Sequence, residues 1–396
     1  MRYEGKIYLG SIITDACIDV DDDGKIAAIK KSLDGCRKLK GFILPGAVDM
    51  HVHFREPGQT YKEDFYTGTL SAAFGGVTFV ADMPNNVPPI KTPEDFENKL
   101  NAVRSKANVD FTLYTMLTSE SKTMEHKNKL FKWYMYEENL NSADIPSDAL
   151  ITVHAELKNC IKNASSLYEY DFARPEKCER DAIRKLAEYG RKFHVAHVSS
   201  PDSLMLCSLM GHTCEVTPHH LFLHRGLNLG SFGKVNPPLR GWWVAEEMLR
   251  IFSKGAIDVI ASDHAPHTVE EKEQGFENAP PGIPEVETYV PIFLYMWKLG
   301  KFDLKTMVHA LMTRPAELLK IKKGKIDVGY DADLIAVNIN DVRKIRASKL
   351  HYKCGWTPYE GMSGIFPHTV ILRGEKVIEN GELIADKTGK FSEYAP

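Results

Sequence analysis

The run Leu44-Pro45-Gly46-Ala47-Val48-Asp49-Met50-His51-Val52-His53-Phe54-Arg55 reads as an apolar strand that ends on two histidines. His51 and His53 are two positions apart, so on a strand they project to the same side. There they can share one metal ion through imidazole nitrogens. The pattern recurs along the chain. His154 closes Ile151-Thr152-Val153-His154, His197 closes Phe193-His194-Val195-Ala196-His197, and Asp263 follows Ile257-Asp258-Val259-Ile260-Ala261-Ser262. Each is a metal-capable side chain at the C-terminal end of an apolar, strand-like run. In a parallel barrel all such ends meet on one face, the face that carries active sites. Four or five N/O ligands of this kind are what a two-metal hydrolase requires.

Outward from these runs, residues from about 45 to 320 alternate buried-strand patterns with helical ones. Val77–Ala81, Phe111–Thr115 and Leu150–His154 are further β-branched runs. Glu176 to Tyr189 has Cys178, Ile183, Leu186 and Ala187 near helical spacing and stops at Gly190. Thr92 before Pro93 marks a helix start. Repeated β–α units over this length predict an α/β fold, a (β/α)8 barrel rather than an open sheet. Thr268 to Asn278 is polar and reads as a long surface loop. Both ends of the chain are β-rich. Lys6–Thr14, the acidic turn at Asp22-Asp23-Gly24 and Ile26–Lys30 form a hairpin-like pattern at one end. Asp331–Asn338, His368–Arg373 and Lys376–Gly381 are strand-and-turn units at the other, punctuated by Gly374 and Gly381. One small domain built from both termini follows, with divisions at 1–45, 46–320 and 321–396.

Composition narrows the functional class. Lysine plus arginine is 50 against 53 aspartate plus glutamate, a net charge of −3 that argues against a dedicated nucleic-acid binder. No stretch approaches the ~20 apolar residues of a membrane span, and Met1–Ser11 is too polar for a secretory signal. Seven cysteines, an odd number with no C-x-x-C pair, read as reduced thiols in a cytoplasmic protein. The 15 histidines are the unusual feature.

Seven segments in order, PGAVDMHVHFREPG (45–58), ADMPNN (81–86), VHAE (153–156), VAHVSS (195–200), TPHHLFL (217–223), KVNPPLR (234–240) and ASDHAPH (261–267), resemble the amidohydrolase superfamily and, within it, the dihydroorotase family. The resemblance covers nearly the whole chain and implies a TIM barrel, with the β-rich ends forming a small β-sandwich. It also implies two zinc ions, with His51, His53 and Asp263 on the more buried one and His154 and His197 on the second. Leu130–Met135 resembles the family's carboxylated-lysine form, so Lys132 is the expected bridge and Asp144 or Asp148 the fallback. An ammonium is no metal ligand, whereas a carbamate offers two oxygens.

The same resemblance implies a substrate pocket. Arg55 returns to the metal-facing side and can hold a carboxylate in bidentate fashion, joined by Asn85 and His267. Asn236, Pro281 and Gly282 would contact the ring. Asp263 would act in turn as base and acid, in the reversible cyclisation of N-carbamoyl-L-aspartate to L-dihydroorotate for pyrimidine (UMP) synthesis. His264, His219 and His220 carry no ligand role and are expected to be hydrogen-bonded structural residues. Two alternatives stand. An allantoinase or hydantoinase shares the ligands, but an uncharged ring leaves Arg55 and His267 unpartnered. A barrel without activity could serve as a scaffold. A homodimer and association with aspartate transcarbamoylase are left open.

Overall fold

In a computed structural model of the chain, residues 1–394 are described. Eight parallel strands form the middle of the molecule: β1 (Ala47–Val52), β2 (Val77–Asp82), β3 (Asp110–Leu113, continued by Thr115–Met116), β4 (Leu130–Tyr134), β5 (Leu150–His154), β6 (His194–Val195), β7 (Thr213–Val216) and β8 (Val259–Ile260). Each pairs with the next in sequence. The ring closes where Val52 bridges His264 in parallel register and the His53 N–H donates to the His264 carbonyl at 2.8 Å. The result is a (β/α)8 barrel, as the alternating pattern predicts. Its interior is filled by Val48, Met50, Phe79, Ala81, Tyr114, Leu130, Val259 and Ala261, with Leu319 and Tyr394 in the same apolar cluster.

The helix signals act as expected. Thr92 caps Pro93–Val103 in a capping box with Asp95. Glu176–Leu186 runs on through a 3-10 turn to Gly190, whose φ of 63° ends it. The polar stretch at 268–278 differs from expectation. Thr268 caps a one-turn helix, Val269–Lys272, and Lys272 is buried. A capping box with Glu271 satisfies the first turn and lets the stretch fold inward.

Both termini build one eight-stranded sheet, in the order Glu382–Leu383, Glu375–Glu379, Thr369–Leu372, Leu334–Val337, Arg37–Pro45, Arg2–Leu9, Ile12–Val20 and Ile26–Lys30. The N-terminal strand Arg37–Pro45 pairs with Leu334–Val337, so the two ends are joined through the ladder. The far edge folds back, with the Ile26 N–H on the Tyr330 carbonyl at 2.8 Å and the Ala332 N–H on the Gly24 carbonyl at 2.9 Å. Inside lies a separate core that includes Tyr3, Ile7, Ile18, Ile43, Leu334 and Ile371. Behind it, Lys323 bonds Asp110 at 2.7 Å, Asp331 at 2.8 Å and Asp333 at 2.7 Å, tying the start of β3 to this sheet.

The cysteines correct the sequence reading. Cys17 is paired with Cys36 and Cys160 with Cys178, leaving Cys207, Cys214 and Cys354 as buried thiols. Partners 19 and 18 residues apart meet only through the fold, which no short spacing motif signals. The argument from reduced thiols to a cytoplasmic protein is therefore withdrawn. Among the described residues no helix is long and apolar enough to cross a membrane.

Candidate metal centre and substrate pocket

The C-terminal ends of the barrel strands open onto a cavity of about 230 Å³. Of the residues singled out above, His51, His53, Arg55, Asn85, His154, His197, Asn236, Asp263, His267, Pro281 and Gly282 all line it. Three of them turn into the mouth on left-handed backbone: Arg55 (φ 61°), His197 (φ 39°) and Asp263 (φ 50°). Such φ values are sparsely populated for residues other than glycine and cluster at functional sites.

Each candidate ligand is oriented from behind. Glu215 pairs with Nδ1 of His51, and Asn85 Oδ1 accepts from Nδ1 of His53 at 2.6 Å. That leaves both Nε2 atoms facing Asp263 Oδ1, at 3.2 and 2.9 Å. One donor atom from each of the three residues lies within 4.8 Å of the others. Glu156 Oε2 accepts from His154 Nε2 at 2.7 Å, freeing that ring's Nδ1. The His154 and His197 rings are 4.5 Å apart, and His197 Nδ1 is buried without a hydrogen-bond partner. Burial pushes His51, His154 and His197 below the ordinary histidine value, so the rings are neutral with lone pairs available. Burial would raise Asp263, but His51 and His53 outweigh it and hold the carboxyl well below its usual range. Neutral imidazoles, an ionised carboxylate and an orphaned ring nitrogen form a donor set that fits divalent metal.

Lys132 lies on β4 with its Nζ fully buried and 3.5 Å from His51 Nε2. Burial pushes its ammonium down to about 8, against the pull of Glu215 and Asp263. A neutral fraction of the amine is therefore present near neutral pH. The fallback residues are elsewhere: Asp144 and Asp148 precede β5 and sit at its opposite end.

On the other side of the cavity the charge is positive. Arg55 is buried, and its hydrogen bonds among the described residues go to the Pro266 carbonyl at 3.2 Å and the His267 ring at 3.1 Å, not to a carboxylate. His267 Nδ1 lies 3.1 Å from Lys62 Nζ, while Nε2 lies 3.1 Å from both Arg55 Nη2, a donor, and the Pro281 carbonyl, an acceptor, and can answer only one of them at a time. Burial, then Arg55 and Lys62, keep this ring neutral. Asn236 Oδ1 accepts from Tyr170 at 2.6 Å. Gly282 has φ 136° and no room for a Cβ, which would meet the Ala265 carbonyl at 2.5 Å. Its N–H is already used by the Lys234 carbonyl at 2.9 Å.

His264, His219 and His220 each have a hydrogen-bonded ring nitrogen, though Nε2 of His264 and of His219 is buried without a partner. His264 Nδ1 accepts from the Glu285 N–H at 3.0 Å, His219 pairs with Glu285, and His220 contacts Thr217 at 2.7 Å. Sequence reasoning missed the carboxylates behind the ligands. Glu156, two residues after His154 and bonded to Arg174, was open to inference, since a second carboxylate commonly orients a ligating histidine. Glu215 stands 164 positions from His51 and has no local signal. Tyr134 and Tyr136 also line the cavity, and the Tyr134 hydroxyl is buried without a partner.

Comparison with known proteins places this geometry. A family model described as dihydro-orotase-like matches residues 40–203. The chain is 40% identical to the dihydroorotase of Thermoplasma volcanium, over 93% of its own length and 92% of the relative's. It is 35% identical to the dihydroorotase of Archaeoglobus fulgidus, over 95% and 96%. Among solved structures it is similar to the L-hydantoinase (dihydropyrimidinase) from Arthrobacter aurescens, with a TM-score of 0.91, 27% identity and 98% of each chain covered.

Proposed function

The chain belongs to the dihydroorotase family of cyclic amidohydrolases, and from that premise we propose that it interconverts N-carbamoyl-L-aspartate and L-dihydroorotate for pyrimidine synthesis. The observation that carries the choice of substrate is Arg55, a buried guanidinium on the cavity wall without a carboxylate of its own. A buried charge in this position is costly unless a ligand answers it. The carboxylate of dihydroorotate does so, with the Asn85 amide nitrogen as a second donor, because Asn85 Oδ1 is committed to His53. His267 supports this side through the Pro281 carbonyl, and Asn236, Pro281 and Gly282 border the ring.

His51, His53 and Asp263 would hold one zinc ion, His154 and His197 a second, with carboxylated Lys132 between them. When bound, the pair supplies Lewis acidity to the amide carbonyl and to a water. Asp263, through the carboxylate oxygen not turned to His51 and His53, takes a proton from the water whose oxygen bonds to the amide carbon and returns it to the ring nitrogen as the C–N bond breaks. The neighbouring histidines keep this carboxylate ionised, the form a base must have before the proton arrives. Glu215, Asn85 and Glu156 hold the three rings at fixed tautomers throughout.

The chain divides, in this reading, into a hydrolase barrel at 46–320 and a β-sandwich from 1–45 and 321–396. It acts on a small molecule. Resemblance to a solved hydantoinase supports a second reading, an uncharged cyclic substrate. The deciding experiment is turnover of dihydroorotate, allantoin and hydantoin by zinc-replete protein. Dihydroorotate is expected to have the highest kcat/KM by far; a preference for hydantoin would overturn the assignment.

A further inference from the structure

The short helix Val269–Lys272 sends its last two side chains in opposite directions. Glu271 reaches outward to Lys62 at 2.9 Å and Tyr61 at 3.1 Å. Lys272 is fully buried, and its Nζ donates to the carbonyls of Pro280 at 2.9 Å, Gly282 at 3.1 Å and Lys234 at 3.4 Å. Among the described residues no carboxylate lies within 4.0 Å of it. Three backbone carbonyls thus face its Nζ, enough for every donor the amino group has. The carbonyls on either side of Pro281 point back at Lys272, while that of Pro281 points to His267. The third acceptor belongs to Lys234, two residues before Asn236. Lys234 closes the circuit from its own side chain, with Nζ on the Phe276 carbonyl at 2.7 Å.

We infer that Lys272 is a positioning residue: its buried amino group grips the segments 234–237 and 280–282 from behind and so sets the wall that borders the substrate ring. The inference rests on the proposed reaction for its choice of substrate. Its geometric part does not, because the clamp exists whatever ring is bound. Lys272 touches neither metal ligands nor reacting atoms, so its loss changes how the ring is held rather than how the bond is broken.

The test uses zinc-replete full-length protein. Lys272→Met is expected to raise KM for dihydroorotate about tenfold, with kcat within about twofold and zinc content unchanged. Backbone hydrogen exchange is expected to quicken in peptides covering 234–237 and 280–283 and not in those covering β1 or β5. Lys272→Arg keeps the charge but replaces three tetrahedral donors with a planar fork. It is expected to fold in any case, with a KM between those of the parent and the methionine variant. Unchanged KM in both variants, or exchange that quickens across the whole barrel alike, would overturn the clamp. If the parent does not turn over dihydroorotate, the proposed function fails, and local exchange alone then decides the clamp.

Discussion

Arg55 and Lys132 are both buried, and among the described residues neither forms an ion pair. For Arg55 the proposed partner is a substrate carboxylate, since its contacts within the fold are with a carbonyl and a neutral ring. Arg55→Met is expected to raise KM for dihydroorotate about a hundredfold, matching the ~3 kcal/mol of a buried charge-assisted pair. Zinc measured by elemental analysis stays at the parent level. An unaltered KM would remove the carboxylate-anchor role. For Lys132 the proposed partner is carbon dioxide, which adds only to a neutral amine; burial that brings the ammonium to about 8 supplies that form near neutral pH. Lys132→Ala is expected to lose most of its zinc and activity, and short carboxylic acids to restore part of both by filling the vacated space. Full zinc occupancy in the alanine variant would exclude a bridging lysine. The histidines at the strand ends were legible because each closes a local run of β-branched residues. Among the groups that orient them, Glu215 was not, because it lies far from His51 in sequence, and Lys132 was reached only through the family resemblance of Leu130–Met135.

At the scale of elements, Leu150–His154 is recovered to the residue, because alternating β-branched side chains in a short run have one regular solution. Phe193–Val198 reads just as strongly, yet β6 keeps only His194–Val195 as strand. The chain leaves extended geometry at His197, whose φ of 39° carries the ring into the mouth. Local propensity is thus overridden at the position proposed as a metal ligand. The segment after β5 follows the same logic. Arg174 bonds Glu156 with Nε at 3.1 Å and Nη2 at 2.5 Å, and Glu156 holds His154. The Cys160–Cys178 pair spans this segment. Burial would raise Glu156, but Arg174 and His154 hold its carboxyl at about 2. Its contribution is therefore fully present above the unfolded value of 4.5 and is lost as pH falls towards about 2. Arg174→Met is expected to cost about 3–5 kcal/mol by leaving a buried charge unpaired, and to weaken zinc binding about tenfold through His154. Urea midpoints measured between pH 5 and 3 should fall along different slopes in parent and variant, because Glu156 takes up its proton at a higher pH once Arg174 is gone. Superimposable slopes would mean that the pair contributes nothing to acid stability.

Across the whole molecule, the active mouth and the joint between barrel and terminal sheet lie at opposite ends of the same strands. Asp110 begins β3 at the closed end, and Lys323 binds it together with Asp331 and Asp333 while 3% exposed. That both ends of the chain form one unit was legible from their strand-and-turn patterns. That a lysine joins the unit to the barrel was not, since Asp110 and Lys323 are brought together only by closure of the fold. Burial would lower Lys323, but Asp333, Asp110 and Asp331 outweigh it and raise its ammonium above the ordinary lysine value. A raised lysine contributes stability that is fully present below the unfolded value of 10.5 and is lost only above it, so the parent keeps this term throughout the neutral range. Lys323→Met leaves three carboxylates around a missing charge. It is expected to cost about 3–5 kcal/mol near neutral pH, with kcat and KM at a permissive temperature unchanged because the mouth is not touched. At lower pH those carboxylates protonate within the fold, which relieves the repulsion and narrows the gap to the parent. Thermal unfolding from pH 5 to 8 should therefore show a gap in Tm that widens with pH. A gap that narrows over that range, or a rise in KM, would refute a purely structural joint at the closed end of the barrel.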